Sequence, residues 1–106
     1  MNVLVTGATG FIGRRVTARL LEEGNGVTAL LLPGEPETGM EGCTVRRGDI
    51  TAPETLRGVM DGADAVIHLA GAVGYGQTME RCLAVNRDGT KNVATETVRA
   101  GIRRFL

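Results

Sequence analysis

The feature that most limits what this chain can become is the string Thr6-Gly7-Ala8-Thr9-Gly10-Phe11-Ile12-Gly13. It directly follows the β-branched run Val3 to Thr6. It also opens a segment from about Phe11 to Glu23 in which Ile12, Val16 and Leu20 recur every four residues. An apolar run closed by glycine is the pattern of a buried parallel strand, and the four-residue recurrence is that of an amphipathic helix. Strand, glycine turn and helix in immediate succession give each glycine a physical task. Gly7 permits the tight turn out of the strand, Gly10 leaves the backbone open to a phosphate, and Gly13 lets the helix pack closely on the strands. The first N–H groups of such a helix have no helical partner and carry partial positive charge, which suits a phosphate. The spacing is GxxGxxG rather than the commoner GxGxxG, and the alternative is a tight turn that holds no ligand. Arg14 and Arg15 fall in or near the first helical turn, where a cation opposes the helix dipole. They either favour a bound anion or are solvated surface residues.

The rest of the chain alternates in the same way. Gly24 and Gly26 stop the first helix, and Val27 to Leu32 is a second apolar run closed by Pro33-Gly34. Glu35 to Gly42 reads as a loop, Thr44 to Arg47 as a short strand ending at Gly48-Asp49, and Pro53 as the first turn of a helix reaching about Met60. Ala65 to Leu69 is a fourth strand, followed by a loop with Gly71, Gly74 and Gly76. A long helix is expected from about Thr78 to Ala100, with Met79, Leu83, Asn86, Thr90, Val93 and Thr97 on one face. Ile102 to Leu106 begins another strand. Strands alternating with helices imply an α/β fold with right-handed crossovers, and the expected sheet is doubly wound and parallel, in the order 3-2-1-4-5.

Composition narrows the partners. Of the 106 residues, 42% are hydrophobic and 23% charged, which fits one globular domain. Twelve basic side chains balance twelve acidic ones, so no global field attracts nucleic acid or an anionic membrane. No apolar run approaches the ~20 residues of a membrane span, and the first residues lack the basic start of a signal peptide. Cys43 and Cys82 are far apart, without metal-like spacing, and read as reduced thiols. The expectation is a cytoplasmic protein with no metal site.

Read together, VLVTGATGFIG, GDI, DAVIHLAG, VNRDGTKNV and GIRRFL resemble the extended short-chain dehydrogenase/reductase family, the NAD-dependent epimerase/dehydratase group, over the whole chain. The sugar-epimerase and dihydroflavonol-reductase-like branches are the most similar. The resemblance implies a Rossmann-like, NAD(P)-binding domain over residues 1–106. It places Gly7, Gly10, Phe11, Ile12 and Gly13 around a pyrophosphate, and Asp49 and Ile50 beside an adenine ring. It sets Leu69, Ala70 and Gly71 along the cofactor ribose and Asn86 near the nicotinamide side. The alternative for Asp49 is a turn or cap residue before Pro53, and for Asn86 a core amide that helps its helix kink or dock on the sheet. His68, the only histidine, lies in an apolar strand where the family uses it structurally. An acidic residue at the end of the second strand would favour NAD, and an arginine NADP. Leu32 stands there and Glu35 falls in the loop beyond, so NAD is expected with NADP open.

In that family a strand ending in Ser or Thr and a Tyr-x-x-x-Lys helix carry the proton chemistry. Tyr75 is the only tyrosine here, and Met79 stands four places after it. No catalytic residue is therefore assigned. The chain is expected to be the front portion of an enzyme acting on a nucleotide sugar or similar carbinol, truncated after about five strands and lacking the substrate domain. It is not expected to turn over alone, and self-association through an exposed sheet edge is expected. The alternatives are a stand-alone dinucleotide-binding module and an assembly module.

Overall fold

The computed structural model describes residues 1–106. Five parallel strands form one sheet in the order β3-β2-β1-β4-β5. They are β1 (Asn2–Thr6), β2 (Gly26–Leu31), β3 (Thr44–Arg47), β4 (Ala65–His68) and β5 (Arg104–Phe105). Leu4 of β1 is in register with Thr28 of β2 and Val66 of β4. The expected Rossmann-like order is thus the observed one.

Alternation along β1 divides the core between the two faces of the sheet. Val3 and Val5 join Val27, Ala29 and Leu31 on the face packed beneath helix α1 (Phe11–Glu22). Leu4 joins Val66, Leu56, Met60 and Val93 on the other. That second face is covered by a 3-10 turn (Pro53–Leu56) and by a helical rod. The rod comprises α2 (Met79–Cys82), a π-helical stretch (Leu83–Gly89) and α3 (Thr90–Arg99).

Three departures from the expected pattern have physical causes. In α1 the buried residues are Gly13 and Thr17, whereas Ile12 is 60% exposed. The glycine at position 13 brings the helix so close to the β1 turn that the facing side has no room for a larger chain. The segment after Pro53 makes only one 3-10 turn, because Arg57 is extended and Gly58 takes φ of 80°. Third, the long helix is not a uniform α-helix. The i→i+5 stretch over Leu83–Gly89 rotates its facing side, so Val85, Gly89, Val93 and Thr97 are buried while Met79 and Leu83 are exposed. A Cβ at Gly89 would come within 2.8 Å of Ile50 Cδ1, so glycine is what allows the wide turn to approach.

Glu96 is a buried carboxylate fully paired within this half. Arg99 Nη2 donates to it at 2.6 Å and the Gly58 N–H at 3.0 Å. The Arg99 hydrogen bonds hold its carboxyl below the usual range.

Candidate functional site

The turn between β1 and α1 is shaped by close backbone packing. Gly7 adopts φ of 68°, and a Cβ there would lie 2.6 Å from the Ala70 nitrogen. A Cβ at Gly13 would overlap the Gly7 carbonyl oxygen. Gly10 has an ordinary extended conformation, so what it contributes is room rather than freedom. Its N–H donates to Gly7 O at 3.1 Å, and Arg14 N–H makes the first helical bond, to Gly10 O at 3.0 Å. The amides of Phe11, Ile12 and Gly13 therefore have no acceptor in the chain. No acidic side chain stands in that first turn.

These residues line a cavity of about 550 Å³ at the carboxyl ends of the strands. That is within the ~300–1,000 Å³ range of small-molecule sites. Ten of the eleven residues expected at the site form its wall: Gly7, Gly10, Phe11, Ile12 and Gly13, then Asp49 and Ile50, then Leu69, Ala70 and Gly71. Asn86 is the exception. Its Oδ1 accepts the Ala72 N–H at 2.7 Å and its Nδ2 donates to Ala72 O at 3.0 Å. It ties the loop after β4 to the π-helical stretch.

Asp49 makes the turn weighed for it and also lines the cavity. Its Oδ1 accepts the Thr51 N–H at 2.8 Å and the Thr51 hydroxyl at 2.7 Å, an Asx turn. These bonds keep its carboxyl ionised below the ordinary range, helped weakly by Arg81. The residue nevertheless faces the cavity beside Ile50. Arg14 and Arg15 do not line it. Arg14 Nε instead donates to Thr9 O at 2.8 Å and braces the glycine turn from outside, while the Arg15 guanidinium lies 5.1 Å from the Phe11 ring centre. Both are the surface residues of the alternative stated above.

Glu35 was not assigned from sequence, yet it belongs to the wall. Its Oε1 accepts the Leu32 N–H at 2.9 Å and its Oε2 the Thr9 hydroxyl at 2.6 Å. The signal was present in Leu32-Pro33-Gly34-Glu35. Proline followed by glycine at φ 79° makes a type II turn, closed by Glu35 N–H to Leu32 O at 3.0 Å. That turn folds the glutamate back onto the end of β2. Arg81, the one basic side chain of the wall, was missed because α2 follows a loop whose path no periodicity encodes.

A family model described as the NAD dependent epimerase/dehydratase family matches residues 3–106. The chain belongs to the NAD-dependent epimerase/dehydratase family. Among its family relatives, the 3 beta-hydroxysteroid dehydrogenase/Delta 5-->4-isomerase of Mycobacterium tuberculosis is 34% identical over 99% of this chain. The match covers 30% of that enzyme, so the chain spans about a third or less of its length. A short-chain dehydrogenase/reductase superfamily protein of Agrobacterium tumefaciens, solved with bound NAD, is 31% identical with a TM-score of 0.83, covering 99% of this chain and 31% of that one. The UDP-glucose 4-epimerase of Thermotoga maritima, solved with UDP-glucose, has 25% identity and a TM-score of 0.86, covering 99% and 36%.

His68 and Tyr75 stand outside the cavity wall. Tyr75 is wholly exposed. No group of three or more His, Cys, Asp or Glu side chains is placed to hold a metal, and both cysteines are free. No helix is long and apolar enough to cross a membrane.

Proposed function

We infer that this chain is the dinucleotide-binding portion of an NAD-dependent epimerase/dehydratase or reductase. The observation that carries this reading is the trio of partnerless amides, Phe11 to Gly13, opening into a cavity of about 550 Å³. The residues fit an NAD diphosphate: donors without acceptors, a positive helix end and no competing first-turn carboxylate. Asp49 has an oxygen left to accept from the adenine amino group, and Ile50 offers an apolar surface to the ring. Leu69, Ala70 and Gly71 would follow the ribose on the opposite wall. Asn86 holds that wall through Ala72.

Glu35 extends the reading to cofactor choice. A carboxylate is an acceptor only, so at the end of β2 it suits ribose hydroxyls and repels a ribose phosphate. NAD is then preferred over NADP. Bound NAD supplies a hydride acceptor at its nicotinamide ring. The residues of this chain bind and orient, and none is placed to move a proton from a carbinol, since Tyr75 points to solvent with no lysine four positions on. The relatives are named for a steroid and a nucleotide sugar, and a nucleotide sugar or similar carbinol is proposed as the substrate of the whole protein. The edge position of β5, with Phe105 partly exposed, supports self-association of the chain. A strictly monomeric species by light scattering would count against that part.

Calorimetric titration tests the central part. NAD should bind measurably, NADP more weakly, and incubation with NAD and nucleotide sugars should give no hydride transfer. Absence of any NAD heat with a folded chain overturns the reading, and robust turnover overturns the assignment of catalysis elsewhere.

A further inference from the structure

His68 carries a hydrogen-bond arrangement that the binding residues alone do not explain. Thr6 Oγ1, almost fully buried, accepts the Leu69 N–H at 3.1 Å and the Ala70 N–H at 3.2 Å. The same oxygen lies 2.7 Å from His68 Nδ1. A hydroxyl has two lone pairs and one proton. The Leu69 N–H is shared with Thr6 O at 3.2 Å, but both amides are donors, so the imidazole is the one acceptor within reach of the Thr6 hydroxyl proton and Nδ1 takes it. The other ring nitrogen, Nε2, then carries hydrogen and donates to Thr90 Oγ1 at 2.9 Å. The neutral Nε2–H tautomer is the state that gives the Thr6 hydroxyl proton an acceptor.

The amides at the far end of this chain of bonds belong to the cavity wall. Leu69 and Ala70 line it, and the Ala70 nitrogen is the atom that forbids a side chain at Gly7. We propose that His68 is a positioning residue whose neutral Nε2–H form holds the Leu69–Ala70 wall against the glycine turn, making dinucleotide binding acid-sensitive. A proton on Nδ1 would bring a third donor to an oxygen with two lone pairs. The Thr6 hydroxyl proton would lose its acceptor, and the Leu69 N–H would be displaced from Oγ1 onto Thr6 O, which it already reaches at 3.2 Å.

The surroundings favour such a switch over a fixed charge. β1 brings Thr6 to the ring, α3 brings Thr90, and β5 stacks Phe105 with centroids 6.1 Å apart. All three are uncharged. The charged residues next to these in sequence, Lys91 and Arg104, are exposed, and the Leu106 main-chain oxygen takes the His68 backbone N–H at 2.7 Å. Burial pushes the imidazole below its ordinary value, with no charged partner opposing it. This inference rests on the dinucleotide reading for its ligand but not for its hydrogen bonds.

The test has two arms on the 106-residue chain. In the first, NAD affinity is measured against pH for the wild type, His68→Asn and His68→Leu. Asn keeps an acceptor near the Nδ1 position and cannot titrate. Wild-type affinity should be constant near pH 8 and fall on acidification below the ordinary imidazole range of about 6.5, approaching tenfold per pH unit. His68→Asn should bind at neutral pH with the acid limb removed, and His68→Leu should bind weakly throughout. An acid limb retained in His68→Asn, or wild-type affinity in His68→Leu, overturns the proposal. The second arm needs no ligand. Imidazole 15N shifts should report the Nε2–H tautomer, and the Leu69 and Ala70 amides should exchange faster as His68 titrates. An Nδ1–H tautomer or unchanged exchange overturns the proposal even if NAD does not bind, an outcome that would separately overturn the dinucleotide reading.

Discussion

On the β1–α1 side of the cavity, shape comes from side chains that are missing. Gly7 and Gly13 let backbone meet backbone, and the amides at the helix end are left without partners. On the β4 side, shape comes from side chains that are added. Thr6 and His68 hold Leu69 and Ala70, and Asn86 holds Ala72. The first wall cannot adjust, because a methyl group there collides with main-chain atoms. The second is a set of directional bonds, each of modest net worth and one of them titratable. Rigid steric construction thus stands under the proposed diphosphate, and adjustable polar construction stands under the ribose side.

The difference between the walls sets an order of sensitivities. Gly13→Ala should have the largest effect, since its methyl would overlap Gly7 O and the helix cannot retreat without leaving the sheet. A loss of about 3 kcal/mol in urea unfolding is expected, with loss of NAD binding. Asn86→Ala removes two bonds to Ala72 from a partly solvated site, and should cost about 1–2 kcal/mol in the same measurement. A cost equal to that of Gly13→Ala would erase the contrast between the walls. Glu35→Ser should leave NAD binding largely intact and shift the NADP-to-NAD affinity ratio toward NADP by about tenfold, ~1.4 kcal/mol, in competitive titration. An unchanged ratio would remove Glu35 from cofactor choice. Smallest is Arg19→Ala, which breaks the exposed 2.9 Å pair with Glu23 on the far side of α1. It should change stability by no more than about 0.5 kcal/mol and leave binding untouched.

How much of this was readable beforehand follows the same division. Steric construction is local and is written as glycines at fixed spacing, so the β1–Gly7–Gly13–α1 unit and the sheet order were legible. The polar wall depends on pairings between residues far apart in sequence, such as Thr6 with His68 and Asn86 with Ala72. No periodicity encodes those. The π-helical stretch was hidden for a related reason. Met79, Leu83 and Asn86 fit an α-helical face, and only the close approach of Gly89 to Ile50 shows that the register has turned. Ile12 misled in the opposite sense. Its spacing matched the core face, but the buried position beside it is Gly13, and Ile12 faces the cavity. Glu35 is legible only through the Pro33-Gly34 turn chemistry, which folds a residue three places beyond Leu32 back onto the end of β2.

The diphosphate assignment is most directly tested by titrating the 15N-labelled chain with ADP and following each backbone amide by NMR. The Phe11, Ile12 and Gly13 resonances should move furthest, with Asp49 and Ile50 following and the far side of α1 unchanged. Saturable ADP binding that leaves those three amides in place would contradict it.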